Sequence, residues 1–377
     1  MKVKPGNNQL KVSFLIPTLE GGGAERVFLT LANGLAYKGF EVKLIVVDAR
    51  GPYLTEVSPA VNLIDLKCNR VGRAFLKLAH HLIKDKPFVL ISGLEHTNIL
   101  ALLVSIFLPF KQKVIISERV YKDKAVYKSK LHYYFYRVLS KITYPLADHI
   151  IAVSEDLRNI ILRTLNVAPE KVSTLYNPIP KFPKVSKPMQ MESSIYSKPY
   201  ILSAGRLTHQ KNFMELVRAF SKISKSIEHN LVIIGEGEER DNIEAEIRLR
   251  NLDGRVILPG FIENPSSIMS GADLFVLSSL YEGMPNVLIQ AMSLGVPVVA
   301  TNCPTGPREI LDNGKWGELV ELGDTDAMAS AMLKVLDSND LPDVKKRSEI
   351  FGLEKCLARL EKIILSNGWY SSQGETK

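Results

Sequence analysis

Strand-length apolar runs alternate with segments of helical period along almost the whole chain, and they do so in two separate blocks. In the first block, residues 11–16, 41–47, 88–92, 114–117, 149–153 and 172–175 read as strands, with a helix over residues 24–38 that Gly39 ends. Residues 178–199 then carry five prolines and no apolar period, the pattern of a linker. After it the alternation resumes, with strands expected at residues 200–204, 231–234, 256–258, 274–277 and 296–301. Repeated βα units demand parallel sheets covered by helices on both faces. The expected architecture is therefore α/β, with two doubly wound, Rossmann-like domains. Their boundaries fall at 1–180, a linker at 181–199, and 200–350. The last segment, 351–377, is a helix and tail whose Leu353, Leu357, Leu360 and Ile364 repeat at helical spacing and are free to pack on either domain. Ligands of such sheets bind beyond the carboxyl ends of the strands, so a cleft between the two domains is the expected site.

Composition narrows the class. At 46% hydrophobic and 23% charged, 377 residues bury sizeable cores and do not read as disordered. Three cysteines, Cys68, Cys303 and Cys356, are an odd number lying far apart. They form no disulfide framework or metal knuckle, which favours a reducing cytoplasm. The N-terminus lacks the apolar run and cleavage site of a signal peptide. The most apolar stretch, residues 99–110, has 12 residues against the ~20 that a spanning helix needs, and it reads as a buried helix.

The net charge of +8 is unevenly spread: residues 1–180 carry +11 and the remainder −3. Basicity peaks between Lys111 and Lys141, where lysines alternate with Tyr133, Tyr134, Phe135 and Tyr136 at helical spacing. Such a segment is a solvated helix with an aromatic core stripe, or a surface for anionic lipid or nucleic acid. Nothing else in the chain resembles a nucleic-acid module, which leaves an anionic membrane surface as the expected partner and no nucleic acid.

Three places carry candidate chemistry. Gly21-Gly22-Gly23 sits between a strand and a helix, where a glycine turn admits a ligand to the backbone and helix-start N–H groups attract anions. It is not GxGxxG, no acidic residue stands where a nicotinamide ribose would need one, and it also reads as a plain turn. Gly205-Arg206, followed by Lys211, follows the first strand of the second block. Arg as a planar fork and Lys as a point charge suit one diphosphate, or are two surface cations. The third place is Glu282-Gly283-Met284-Pro285-Asn286, running into a helix with Pro285 in its first turn. Gln290 lies about 12 Å beyond Glu282 at 1.5 Å per residue, a span that suits the two ends of a nucleotide sugar. Alternatively, Glu282 is a cap on a buried helix.

The runs GGGAERV, GRLTHQKN, LVIIGEGEER, VILPGF, ADLFVLSSLYEGMPNVLIQAMSLGVPVVAT and GPREIL resemble glycosyltransferase family 4 over nearly the whole chain, most closely from about residue 201 to 320. That resemblance implies retaining enzymes of GT-B fold, two Rossmann-like domains facing across a cleft. It implies that Arg206 and Lys211 bind the donor diphosphate and that Glu282 contacts donor-sugar hydroxyls. Amides from Gly283 through Met284 to Asn286 would meet sugar and phosphate, with Gly205 beside them, Glu309 near the donor, and Gly22 and Gly23 approaching from the other domain. The second glutamate of the family's E-x7-E motif is Gln290 here, which can hydrogen-bond a ribose hydroxyl without charge assistance.

The function so implied is metal-independent, retaining transfer of a sugar, with an N-acetylhexosamine as the working choice. The donor is a UDP-sugar, the acceptor a lipid-linked or surface-polysaccharide glycan, and the setting the inner membrane face. No cofactor is expected: there is no Asp-x-Asp loop, and the histidines and cysteines lack ligand spacing. On the acceptor side, Glu118 and Arg119 follow a strand where relatives often place a catalytic His. Arg119 is read as an acceptor-phosphate clamp or a surface cation, and His96 as a loop histidine near the acceptor. Two alternatives stand beside this reading: a UDP-sugar epimerase of the same fold, and a catalytically silent nucleotide-sugar-binding paralogue suggested by Gln290.

Overall fold

The computed structural model describes residues 10–120, 129–179 and 199–366, so the expected linker, part of the basic segment and the C-terminal tail lie outside the described residues. In chain order the first unit holds β1 (Lys11–Ile16), α1 (Gly23–Tyr37), β2 (Glu41–Val46), β3 (Val61–Asp65), α2 (Phe75–Asp85), β4 (Val89–Gly93) and α3 (Glu95–Ile106). It continues with β5 (Lys113–Glu118), α4 (Lys130–Thr143), β6 (His149–Ala152), α5 (Glu155–Thr164) and β7 (Val172–Thr174). The second unit holds β8 (Tyr200–Ala204), α6 (Phe213–Ile223), β9 (Asn230–Ile234), α7 (Arg240–Leu249), β10 (Val256–Gly260), α8 (Ser266–Ser270) and β11 (Leu274–Leu277). After them come α9 (Asn286–Leu294), β12 (Val298–Thr301), α10 (Pro307–Ile310), β13 (Glu318–Val320), α11 (Thr325–Asp337) and α12 (Val344–Ser348); α13 (Leu353–Leu365) ends the described chain.

Each unit is built on one parallel sheet. Among the described residues the orders are β3-β2-β1-β4-β5-β6-β7 and β10-β9-β8-β11-β12-β13. In both, the first strand of the unit stands at the point where the order reverses: β1 pairs with β2 and β4, and β8 with β9 and β11. Loops leaving the carboxyl ends of those central pairs diverge to opposite faces, which opens a crevice for ligands there. The interior strands are almost wholly buried, as their unbroken apolar runs require. β3 and β13, absent from the sequence expectation, are short edge strands that alternate or are only half buried, so no apolar run marks them.

α13 belongs to the first unit, whose segments are Met1–Pro180 and Leu353–Lys377; the second is Lys181–Gly352. Leu357, Leu360, Ile363 and Ile364 join the core formed by β1, β2 and α1. Gly34 makes this possible, since a Cβ there would stand 2.7 Å from Leu357 Cδ1. Buried Lys113, at the start of β5, donates to the carbonyls of Ile363 (3.0 Å), Ile364 (2.9 Å) and Ser366 (2.7 Å). A cation thereby meets the negative end of the helix dipole. Burial lowers the pKa of Lys113, with the Asp148 carboxylate opposing that shift. The apolar stretch 99–110 is helical only to Ile106, and most of α3 is buried. Among the described residues no helix is long and apolar enough to cross a membrane.

Lys113→Met removes the charge that caps these three carbonyls and should cost the first unit about 3 kcal/mol. Hydrogen exchange should then quicken across α13 and stay unchanged in α6; equal protection of α13 in both proteins would contradict the capping role.

Candidate active site

The second unit gathers its candidate residues at the β8/β11 reversal point. The backbone leaving β8 is pinned: Gly205 N–H donates to Ile234 O (2.9 Å) and Leu207 N–H to Glu236 O (2.9 Å). Gly235, at φ +143°, lies so close that a Cβ would stand 1.9 Å from Gly205 O. With its neighbours held, Arg206 projects an exposed side chain that has no hydrogen-bond or ion-pair partner among the described residues. Gly205 serves the site in another way, because the stem of Lys211 crosses it; a Cβ there would approach Lys211 Cε to 3.1 Å.

Lys211 Nζ reaches Glu282 Oε1 at 2.5 Å, and both side chains are largely buried. Ser279 Oγ donates to the same carboxylate oxygen at 2.7 Å. The resemblance assigns Lys211 to the diphosphate and Glu282 to the sugar; the fold joins them, and of the two cations Arg206 is the one without a partner among the described residues. A buried pair of this kind holds its charges in place at a desolvation cost, and losing one partner strands the other. The loops are tied further by Ser278 Oγ to Lys211 O (2.7 Å) and Gln210 Nε2 to Tyr281 O (2.8 Å).

Beneath Glu282 runs the segment leaving β12. Glu282 N–H donates to Pro304 O (2.8 Å) and Thr305 N–H returns to Glu282 O (3.1 Å), while Thr305 Oγ1 donates to Gly283 O (2.9 Å). Gly306, at φ +102°, fits against this turn; a Cβ would fall 2.9 Å from both Gly283 O and Pro285 Cδ. Burial first, and then the Glu282 charge, push the Cys303 thiol up to about 12. Glu309 lies on α10, its carbonyl accepting from Arg347 Nη2 at 2.6 Å.

α9 starts at Asn286 with Pro285 as its N-cap, not within its first turn. Only the last four of the eight steps from Glu282 to Gln290 are therefore helical, or about 6 Å of the rise expected from a continuous helix. Met284 is buried, and Gln290 is half-buried in the second turn. The sequence assigns no role to Ser279, Thr305 or Gly306, although Ser279 and Gly306 lie inside the motif runs. The i, i+3 spacing of Ser279 and Glu282 was the one local signal; the contacts from residues 304–306 are long-range.

In the first unit, Gly22 caps α1 and its N–H donates to Glu25 Oε2 at 2.9 Å, while Thr18 Oγ1 donates to Glu25 Oε1 at 2.6 Å. The expected anion-binding turn thus already holds a carboxylate of its own at one amide, beside Gly23, the first residue of the helix.

His96 is not in a loop but in the first turn of α3, exposed and stacked on Tyr136 with ring centroids 4.5 Å apart. Glu118 ends β5 rather than following it. It is buried, accepting from the Tyr144 hydroxyl and from Asn98 Nδ2 (3.2 Å). Burial, then the Glu118 charge, raise the Tyr144 pKa well above the usual phenol range. Arg119 is no surface cation: at 6% exposure it donates from Nη1 to Asn177 Oδ1 (2.6 Å) and lies over the Phe28 ring. Burial pulls its pKa down to about 9. Among the described residues no group of three or more His, Cys, Asp or Glu could hold a metal ion.

Two doubly wound parallel units, the second with cations and a carboxylate at its reversal point, define the GT-B class of glycosyltransferase folds. Solved structures agree: sucrose-phosphate synthase from Thermosynechococcus elongatus (TM-score 0.80, 19% identity, 98% of this chain and 100% of that one) and HepE from Anabaena in complex with UDP and glucose (TM-score 0.79, 16% identity, 94% and 99%). Residues 21–181 match the family model described as Glycosyltransferase Family 4, and residues 189–350 that of Glycosyl transferases group 1. The N-acetylgalactosamine-N,N'-diacetylbacillosaminyl-diphospho-undecaprenol 4-alpha-N-acetylgalactosaminyltransferase of Campylobacter jejuni is 30% identical, over 88% of this chain and 91% of its own length. The chain belongs to glycosyltransferase family 4.

Gly306→Ala should disturb the turn carrying Glu282 through both its positive φ and the contact with Gly283 O. Thermal unfolding should register a loss of about 2 kcal/mol; an unchanged melting temperature would contradict the packing described.

Proposed function

We propose that this glycosyltransferase moves a sugar, an N-acetylhexosamine, from a UDP-sugar to a lipid-linked or surface-polysaccharide glycan with retention of configuration and without a metal ion. The observation that carries the reading is the charge arrangement at the β8/β11 reversal point: unpaired Arg206, and Lys211 seated against Glu282. Cleaving a sugar–phosphate bond builds negative charge on the departing diphosphate and positive charge on the sugar. Fixed cations and the N-terminus of α9 stabilise the first, and the Glu282 carboxylate suits the sugar side. The acceptor hydroxyl attacks the face that the phosphate leaves, and a donor phosphate oxygen takes its proton, so no protein nucleophile is needed. The Campylobacter relative, named for an N-acetylgalactosaminyl transfer to a diphospho-undecaprenol glycan, supports the choice of sugar and acceptor class, and the UDP in the HepE complex supports the nucleotide. With an acceptor on a polyprenyl diphosphate, the enzyme would work at the inner membrane face.

The roles separate under mutation. Arg206→Ala and Lys211→Ala should each weaken UDP binding about tenfold or more, equal to 1.4 kcal/mol. Glu282→Ala should lower transfer about 100-fold without weakening UDP binding, which is held or strengthened because Lys211 is freed for phosphate. Calorimetry with UDP and turnover with a panel of UDP- and GDP-sugars, the product anomer being read by NMR, check this. The reverse pattern or an inverted anomer contradicts the mechanism, and UDP binding with no turnover on any acceptor favours the silent paralogue that Gln290 suggested.

A further inference from the structure

We propose that the outward face of α4 is the surface by which this chain rests on an anionic lipid bilayer, which deepens and rests on the lipid-linked reading above. Four apolar side chains on this helix point into solvent: Leu131 (80% exposed), Phe135 (58%), Val138 (56%) and Ile142 (65%). At 3.6 residues per turn they fall within about 60° of one another, a single stripe roughly 16 Å long. The opposite face is the packed one. Tyr136 stacks on His96, Ser140 donates to Glu95 Oε1 (3.3 Å), and Thr143 is buried.

The stripe is not alone. Lys130, Arg137 and Lys141 fall together along one flank, about 90–130° from its centre. Tyr134, 54% exposed, stands between that flank and the apolar row. An aromatic ring with a hydroxyl suits the boundary between acyl chain and headgroup. No acidic residue occurs in α4. A helix with one apolar edge, one cationic edge and no anion matches a surface that is apolar below and negatively charged above.

Other occupants fit less well. Two copies meeting face to face about a two-fold axis would set cationic flanks that contain no carboxylate against each other. A nucleic acid would satisfy the cations but leave Leu131, Val138 and Ile142 wet, since aliphatic side chains give bases no stacking platform. The stripe is too short to cross a bilayer, and insertion parallel to its surface buries all four residues at once.

The test uses the full chain and vesicles, and needs no sugar transfer. Sedimentation with vesicles of phosphatidylcholine plus phosphatidylglycerol should capture the wild type, pure phosphatidylcholine should not, and added salt should release it. Phe135→Ser with Ile142→Ser, and separately Lys130→Gln with Lys141→Gln, should each weaken capture about tenfold or more while circular-dichroism melting stays unchanged. Phe135→Trp keeps the fold and adds a positive signal, with fluorescence quenched by brominated phosphatidylglycerol. A wild type that ignores anionic vesicles, a double variant that sediments like the wild type, or an unquenched Trp overturns the proposal. So does a wild-type dimer in ultracentrifugation that the Ser substitutions dissociate, which assigns the face to a second copy. Vesicle capture without turnover would count against the transfer reading alone, and turnover without capture against the membrane face alone.

Discussion

The ion pair between Lys211 and Glu282 ties together the two loops that leave neighbouring strands at the reversal point of the second sheet. Every other contact of the site serves this arrangement. Gly205 clears the path of the lysine stem, Ser279 fills another lone pair of the carboxylate, and the 304–306 turn supports the backbone on which Glu282 rides. Strand order determines that loops after β8 and β11 are adjacent, and chemistry then assigns one a cation and the other a carboxylate. The pair stores charge of both signs in a poorly solvated place, where each is worth more than in water. In the proposed reaction, a nucleoside diphosphate arriving there would compete with Glu282 for Lys211, coupling donor binding to release of the carboxylate.

The first unit follows the same topological rule with different chemistry. Its reversal point places the α1 N-terminus opposite α3. Glu25 occupies one amide of the glycine turn, so that amide already holds a carboxylate of the chain itself. Behind it lies a buried polar layer running from Ser92 through Asn98 to Glu118 and Tyr144, each hydrogen bond satisfied by the next. Such a network fixes the positions of β4, β5 and α3 relative to one another. Arg119, held by Asn177 and the Phe28 ring, extends that layer toward the exit of β7.

The central strands were legible in the sequence because burial on both faces writes an unbroken apolar run, as at Leu274–Leu277 and Tyr200–Ala204. β3 and β13 were not, because polar residues interrupt these short, partly wet strands and leave no apolar run. The candidate residues of the second unit were visible as a cluster of types, yet the pairing of Lys211 with Glu282 spans 71 positions and has no local signature. Burial of Arg119 was equally hidden, since a charged residue after a strand reads as exposed unless its distant partners are known. On α4 both faces carry aromatic residues, so periodicity could not tell the packed side from the open one. The open stripe emerged only once Tyr136 and Ser140 were found against α3.

At the centre stands the claim that positive charge supplied by Arg206 and Lys211, rather than by a metal ion, receives the diphosphate. Calorimetric titration of UDP in chelator, repeated with magnesium in excess, measures this directly. The account requires binding of the same affinity in both, weakening as salt rises; binding that appears only when magnesium is present would contradict it.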